Sequence, residues 1–150
     1  MKTIQRTAPV CVVLAALAVA GCGGDDGLSK AQLAKKANAI CAKYSKEGQA
    51  LGSPDLSDPE KAEDYFNRAT DLANRQQKEL EGLDPAESAQ SDYAKLTKAT
   101  QGATDLLADL ASAAKAKDQE RGVELVQRLT PLSAEVDSAA KEIGADSCAG

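Results

Sequence analysis

The sequence has no histidine and no tryptophan, one methionine, one phenylalanine and three tyrosines in 150 residues. The missing imidazole removes the usual general base and the Ser-His and Cys-His nucleophile arrangements. It also removes haem ligation through histidine and the Glu-x-x-His motif of di-iron bundles. Aromatics are few, and no apolar–polar alternation of the kind a half-buried strand needs is present. The apolar run Val10–Ala20 has eleven residues, too short for the roughly 20 that a spanning helix requires.

Other chemistries fail for want of partners. Gly21-Cys22-Gly23-Gly24 is glycine-rich but precedes no Lys-Ser/Thr pair, so it is no phosphate loop. The acidic cluster Asp55, Asp58, Glu60, Glu63 and Asp64 lacks the spacing and central glycine of an EF-hand loop. Helix capping accounts for it. No catalytic, cofactor-binding or metal-ligating set emerges, and an enzyme is not expected.

What is present begins with the leader. Lys2 and Arg6 precede the apolar run, and Ala18, Ala20 and Gly21 are small, the layout of a signal peptide. An ordinary secretory signal does not explain a cysteine directly after it. Val19-Ala20-Gly21-Cys22 resembles the lipobox of bacterial lipoproteins: an aliphatic residue, a small residue, Gly or Ala, then Cys. The resemblance implies that residues 1–21 are a removed lipoprotein signal peptide. It also implies that Cys22 carries a diacylglyceryl group as the first mature residue. Two acyl chains hold a protein on a bilayer where one holds weakly. Residues 22–28 then read as lipidated cysteine and short tether. Gly23 and Gly24 give it freedom, and Asp25 and Asp26 keep it in water beside anionic headgroups.

Maturation changes two counts. The leader takes two bases and no acid with it, so the net charge moves from −5 to −7. Nucleic acid is not an expected partner for so acidic a domain. Cys11 leaves with the leader and Cys22 is used by the lipid, which leaves Cys41 and Cys148. Outside the cytoplasmic membrane these two are expected to pair.

Residues 29–150 are rich in Ala, Leu, Lys, Glu and Gln, all good helix formers. Four helices are expected. The first opens on the capping box Ser29-Lys30-Ala31-Gln32, with Leu28 and Leu33 as staple, and buries Leu33, Ala37, Ile40, Cys41 and Tyr44. The second opens at Asp58-Pro59 and buries Ala62, Tyr65, Phe66, Ala69, Leu72, Ala73 and Leu80. The third is expected to use Asp84-Pro85 as cap and first turn. Its core set, Ala89, Tyr93, Leu96, Thr100, Ala103, Leu107, Leu110 and Ala114, alternates steps of four and three, a heptad seam. The fourth opens at Asp118 and ends before Gly144. Val123, Val126, Leu129, Val136, Ala140 and Ile143 are expected inside, with Leu125 and Leu132 beside them. Pro131 is expected to kink or split it. Short linkers make neighbours antiparallel, giving an all-α, up-down-up-down four-helix bundle. Helix rise brings Cys148 back alongside Cys41, and puts the lipid end and the C-terminus in one membrane-proximal half.

Asn38-Ala39-Ile40-Cys41-Ala42-Lys43, Gly82-Leu83-Asp84-Pro85 and Ile143-Gly144 followed by Cys148 are similar to motifs of small bacterial helical-bundle lipoproteins and secreted proteins. That resemblance implies the fold and the disulfide, and no activity. The expected role is structural or protein-interacting. The chain would be held on the extracytoplasmic face of the cell membrane by Cys22, with an envelope protein as partner. The alternative is a binding protein for a small apolar or lipidic ligand between the helices.

Overall fold

The computed structural model describes residues 27–149. Four helices follow in order: α1 Lys30–Gln49, α2 Pro59–Glu81, α3 Glu87–Ala116 and α4 Gln119–Ile143. A short 3-10 turn, Asp146–Cys148, closes the chain. No strand forms among the described residues, and the all-α four-helix bundle is as the apolar periodicity requires. The expected leader, and the tether up to Asp26, lie outside the described residues.

Local chemistry sets most helix ends. Ser29 and Gln32 make the full capping box, the Ser29 backbone N–H donating to Gln32 Oε1 at 3.0 Å. Asp58 accepts from the Glu60 and Lys61 backbone N–H groups, with Pro59 in the first turn. Asp118 accepts from the Arg121 N–H at 2.9 Å. Gly144 takes the left-handed conformation at φ 78° while the Ala145 N–H returns to the Ala140 carbonyl, a Schellman closure. Lys117 adopts the same conformation after α3, at φ 55°.

Three expectations need correction or narrowing. Asp84-Pro85 does not cap α3. The helix starts two residues later, behind Ala86, which supplies no capping side chain. The dipeptide instead pairs with the chain entering α1: the Leu28 N–H donates to the Asp84 carbonyl at 2.7 Å, and the Ala86 N–H to the Leu28 carbonyl at 2.9 Å. Pro85 has no N–H to give, and this ladder needs none from it. Second, of the two outcomes expected at Pro131, the split does not occur, and α4 runs through it unbroken. Third, Val123 and Val126 are not inside. They are 59% and 43% exposed, while Leu125 between them is fully buried.

The helices pack in sequence, α1 on α2, α2 on α3, α3 on α4, with a sparse α1–α4 contact closing the ring. Because α3 lies between α2 and α4, it buries a band wider than one seam. Ala89, Tyr93, Leu96 and Leu110 are buried as expected; Ala99, Thr104, Leu106, Ala111 and Ala113 join them, and Thr100, Ala103, Leu107 and Ala114 are only partly covered. Two apolar clusters result. The first joins Leu33, Ala37 and Cys41 of α1, Leu80 of α2, Tyr93 and Leu96 of α3, and Ala140 and Ile143 of α4. The second joins Ala62 and Phe66 of α2, Leu106 and Leu110 of α3, and Leu125 of α4, with nothing from α1. Between them lies a polar layer. Buried Gln77 donates to the Thr97 carbonyl at 3.1 Å and to Glu81 at 2.7 Å, and accepts from the Thr100 hydroxyl at 2.5 Å.

Candidate interaction surfaces and the disulfide latch

Cys41 and Cys148 form a disulfide with their Cα atoms 5.0 Å apart. Cys41 is buried on α1 and Cys148 partly exposed on the tail. Asn38, one turn before Cys41, grips the same tail from both sides of its amide. It donates to the Gly144 carbonyl at 3.0 Å and accepts from the Ser147 N–H at 2.7 Å. Ala145 is fully buried beneath the turn. The left-handed Gly144 is what bends the chain across α1, so a helix end, an amide and a disulfide together latch the C-terminus down.

Beside the latch, α1 and α2 share a charged seam. The Tyr44 ring is buried, and its hydroxyl donates to Glu79 Oε1 at 2.7 Å. Lys43 reaches the same oxygen at 2.6 Å and lies 4.6 Å from the ring centroid, with the Arg75 guanidinium at 5.5 Å. The Lys43 hydrogen bond, helped by Tyr44, holds Glu79 below the ordinary carboxylate range. Burial, then the bond to Glu79, pushes the Tyr44 phenol up. Both shifts favour the states already present at neutral pH, so the seam fastens two helices rather than moving a proton.

The acidic cluster is dispersed among local partners. Asp55 binds the Ser57 hydroxyl at 2.6 Å and its N–H at 3.1 Å; Asp58 is the α2 cap; Lys61 lies 3.3 Å from both aspartates. Asp64 pairs with Arg68 at 3.5 Å, and Glu63 with Lys115 at 3.9 Å. Among the described residues, no group of three or more His, Cys, Asp or Glu is arranged to hold a metal ion.

Two open grooves, of about 520 and 490 Å³, run along α2 where α1 has ended, and meet at Leu51 and Arg68. Tyr65 and Leu72 line them with Asp64, Asp71 and Arg75, so charges of both signs rim an apolar floor. The four aromatics do not gather into one pocket. Tyr65 and Phe66 meet edge to face at 5.5 Å, Tyr44 lies in the charged seam, and Tyr93 donates to the Leu80 carbonyl at 2.6 Å. The other apolar surface is Leu56 in the α1–α2 loop, 62% exposed, and the Val123–Val126 stretch of α4.

Sequence reasoning placed Cys41, Cys148, Ser29 and Asp58 in their observed roles. It missed Gln77 and Asn38. Gln77 continues the α2 spacing from Ala73 to Leu80, but its polarity hid it as a core position. Nothing local marks Asn38, whose partners are 106 and 109 residues away. Cys22 lies outside the described residues, and no helix among those described is long and apolar enough to cross a membrane. Comparison with protein-family models, curated proteins and solved structures gives no match for this chain.

Proposed function

We propose that the chain is a lipid-anchored bundle on the extracytoplasmic face of a bacterial cell membrane, with a structural or protein-interaction role in the envelope. The observation that carries the reading is Val19-Ala20-Gly21-Cys22 at the end of an eleven-residue apolar run behind Lys2 and Arg6. A disulfide between the two cysteines that maturation leaves supports an oxidising compartment. The shape of the domain favours contact over catalysis. Many of its polar side chains serve caps, ion pairs and the layer around Gln77, and its grooves are open surface.

The test is metabolic labelling with palmitate in wild type and Cys22→Ser. The expected outcome is label in the wild type and none in the variant, which stays uncleaved or is shed. Equal labelling of the two contradicts the anchor. Affinity isolation from crosslinked membranes then addresses the role: a protein recovered in a fixed ratio supports it, and repeated recovery of abundant bystanders alone speaks against it.

A further inference from the structure

The chain enters the domain through a fixed gate. Leu28 is paired to Asp84 and Ala86 by two backbone hydrogen bonds of 2.7 and 2.9 Å. Gly27, just before it, lies against that turn at φ +138°; a Cβ there would fall 2.7 Å from the Ala86 nitrogen and 2.9 Å from its Cα. Neither the space nor the backbone conformation admits another residue. The exit point is therefore pinned to the α2–α3 turn, on the same end as the first turn of α1, where Lys30 meets Asp92 at 3.2 Å. The latched tail reaches the same end, through Gly144 on Asn38.

We propose that this end of the bundle, built on residues 82–87, faces the bilayer, and that the α3–α4 turn at Lys117 and Asp118 points away from it. The inference rests on lipidation of Cys22. Five residues from that anchor to Gly27 reach at most ~17 Å, so the gate cannot be far from the headgroups. From the gate end, α3 climbs ~45 Å. The facing end carries charge of both signs: Asp84 and Glu87 are exposed there, and so are Lys78 and Lys141 in the last turns of α2 and α4. Anionic headgroups act on such charges within a Debye length of ~8 Å at physiological salt. The mature chain as a whole carries −7, so lying flat brings more negative charge to the membrane than standing on the small gate end. The tether sets the proximity, and the charge holds the long axis off the surface.

The absence of tryptophan from the chain gives a clean test. Single reporters are placed in the mature lipidated protein at Glu87→Trp, exposed in the first turn of α3, and at Lys115→Trp, exposed in its last. Energy transfer is read to a dansyl headgroup in phosphatidylcholine vesicles doped with phosphatidylglycerol. The two positions are ~42 Å apart along the helix and transfer to a plane of acceptors falls steeply with distance from it, so Glu87→Trp is expected to transfer at least about tenfold more efficiently. Equal or reversed transfer, in protein that still floats with the vesicles, overturns the facing and leaves the anchor standing. Protein that does not float overturns the anchor, and the facing with it. Adding Gly27→Val, which breaks the gate but keeps the lipid, is expected to shrink the ratio; a ratio unchanged in that background removes the pin from the explanation.

Discussion

On one side of Gln77, four helices close over Leu33, Leu80, Leu96 and Ile143, and the tail is tied down by Asn38 and a disulfide. On the other side, α2, α3 and α4 close over Phe66, Leu110 and Leu125 without α1, and Val123 and Val126 remain in water. The same kinds of residue build both halves; the difference is chain length. α1 has 20 residues and α3 has 30, so α1 runs out beside Leu72, which a side chain at Gly48 would touch. A fourth helix adds apolar surface to cover a given stripe. The latched half is therefore expected to be the more stable unit, and the open half the place where local unfolding starts. Surfaces that must adapt to a partner come from such low-stability regions.

The strongest way to break this comparison is to cut the disulfide. It closes a loop of 107 residues, and the chain-entropy model assigns such a link up to ~4.7 kcal/mol. Cys41→Ala with Cys148→Ala is expected to lower the urea midpoint by a corresponding amount, and hydrogen exchange should show the loss concentrated at Leu33–Tyr44 and Ala139–Ile143. Equal loss of protection at Phe66 and Leu110 means that the halves unfold as one, and the comparison fails.

Truncating one leucine in each half sharpens it. Leu80 and Leu125 are both fully buried. Each to Ala costs about 2–5 kcal/mol, the amount depending on how far the site collapses. Leu80, held by four helices, is expected at the upper end, and Leu125, with one side open, at the lower. Denaturant titration of the two variants measures the difference; a costlier Leu125→Ala inverts the ranking of the halves.

Alkaline pH attacks the latched half through Tyr93. Burial, aided by the nearby Glu81 charge, pushes the Tyr93 phenol from 10.0 up to about 12. Between those values the unfolded chain has lost a proton that the folded chain keeps, so stability is full below pH 10 and falls as pH rises toward 12. A shift of that size corresponds to roughly 2–3 kcal/mol. Tyr93→Phe is expected to cost about 1 kcal/mol at neutral pH through the lost bond to the Leu80 carbonyl, and to flatten the alkaline limb. A limb as steep in the variant as in the wild type assigns the effect to other groups.

The helix starts at Ser29, Asp58 and Asp118 and the turn at Gly144 were legible because each is local hydrogen-bond chemistry spanning a few residues. The disulfide followed from counting cysteines after maturation. Asp84-Pro85 misled because the same dipeptide that starts α2 at Asp58-Pro59 serves here a partner more than fifty residues away, Leu28. Asn38 was invisible for the same reason. Gln77 was hidden by its polarity, since burial of an amide depends on partners, Thr97 and Thr100, that only the packed structure supplies. The open half was misread because periodicity reports a stripe without saying whether a neighbour exists to cover it.

That last error can be tested at small cost to the protein. Two stripes overlap in α4: Val123, Val126 and Leu129, or Leu125, Leu129, Leu132 and Val136. Both have helical spacing, and only the second continues into Ala139 and Ile143, which the rest of the bundle already buries. If the faces are as the structure has them, Val123→Ser with Val126→Ser changes stability by within about 0.5 kcal/mol, as surface substitutions do, although Leu125 between them costs several times more. A double variant as costly as Leu125→Ala means that something covers the valines in solution. Measuring it in dilute monomer and again at high concentration separates cover supplied by the chain itself, which dilution leaves in place, from cover supplied by another copy, which dilution removes.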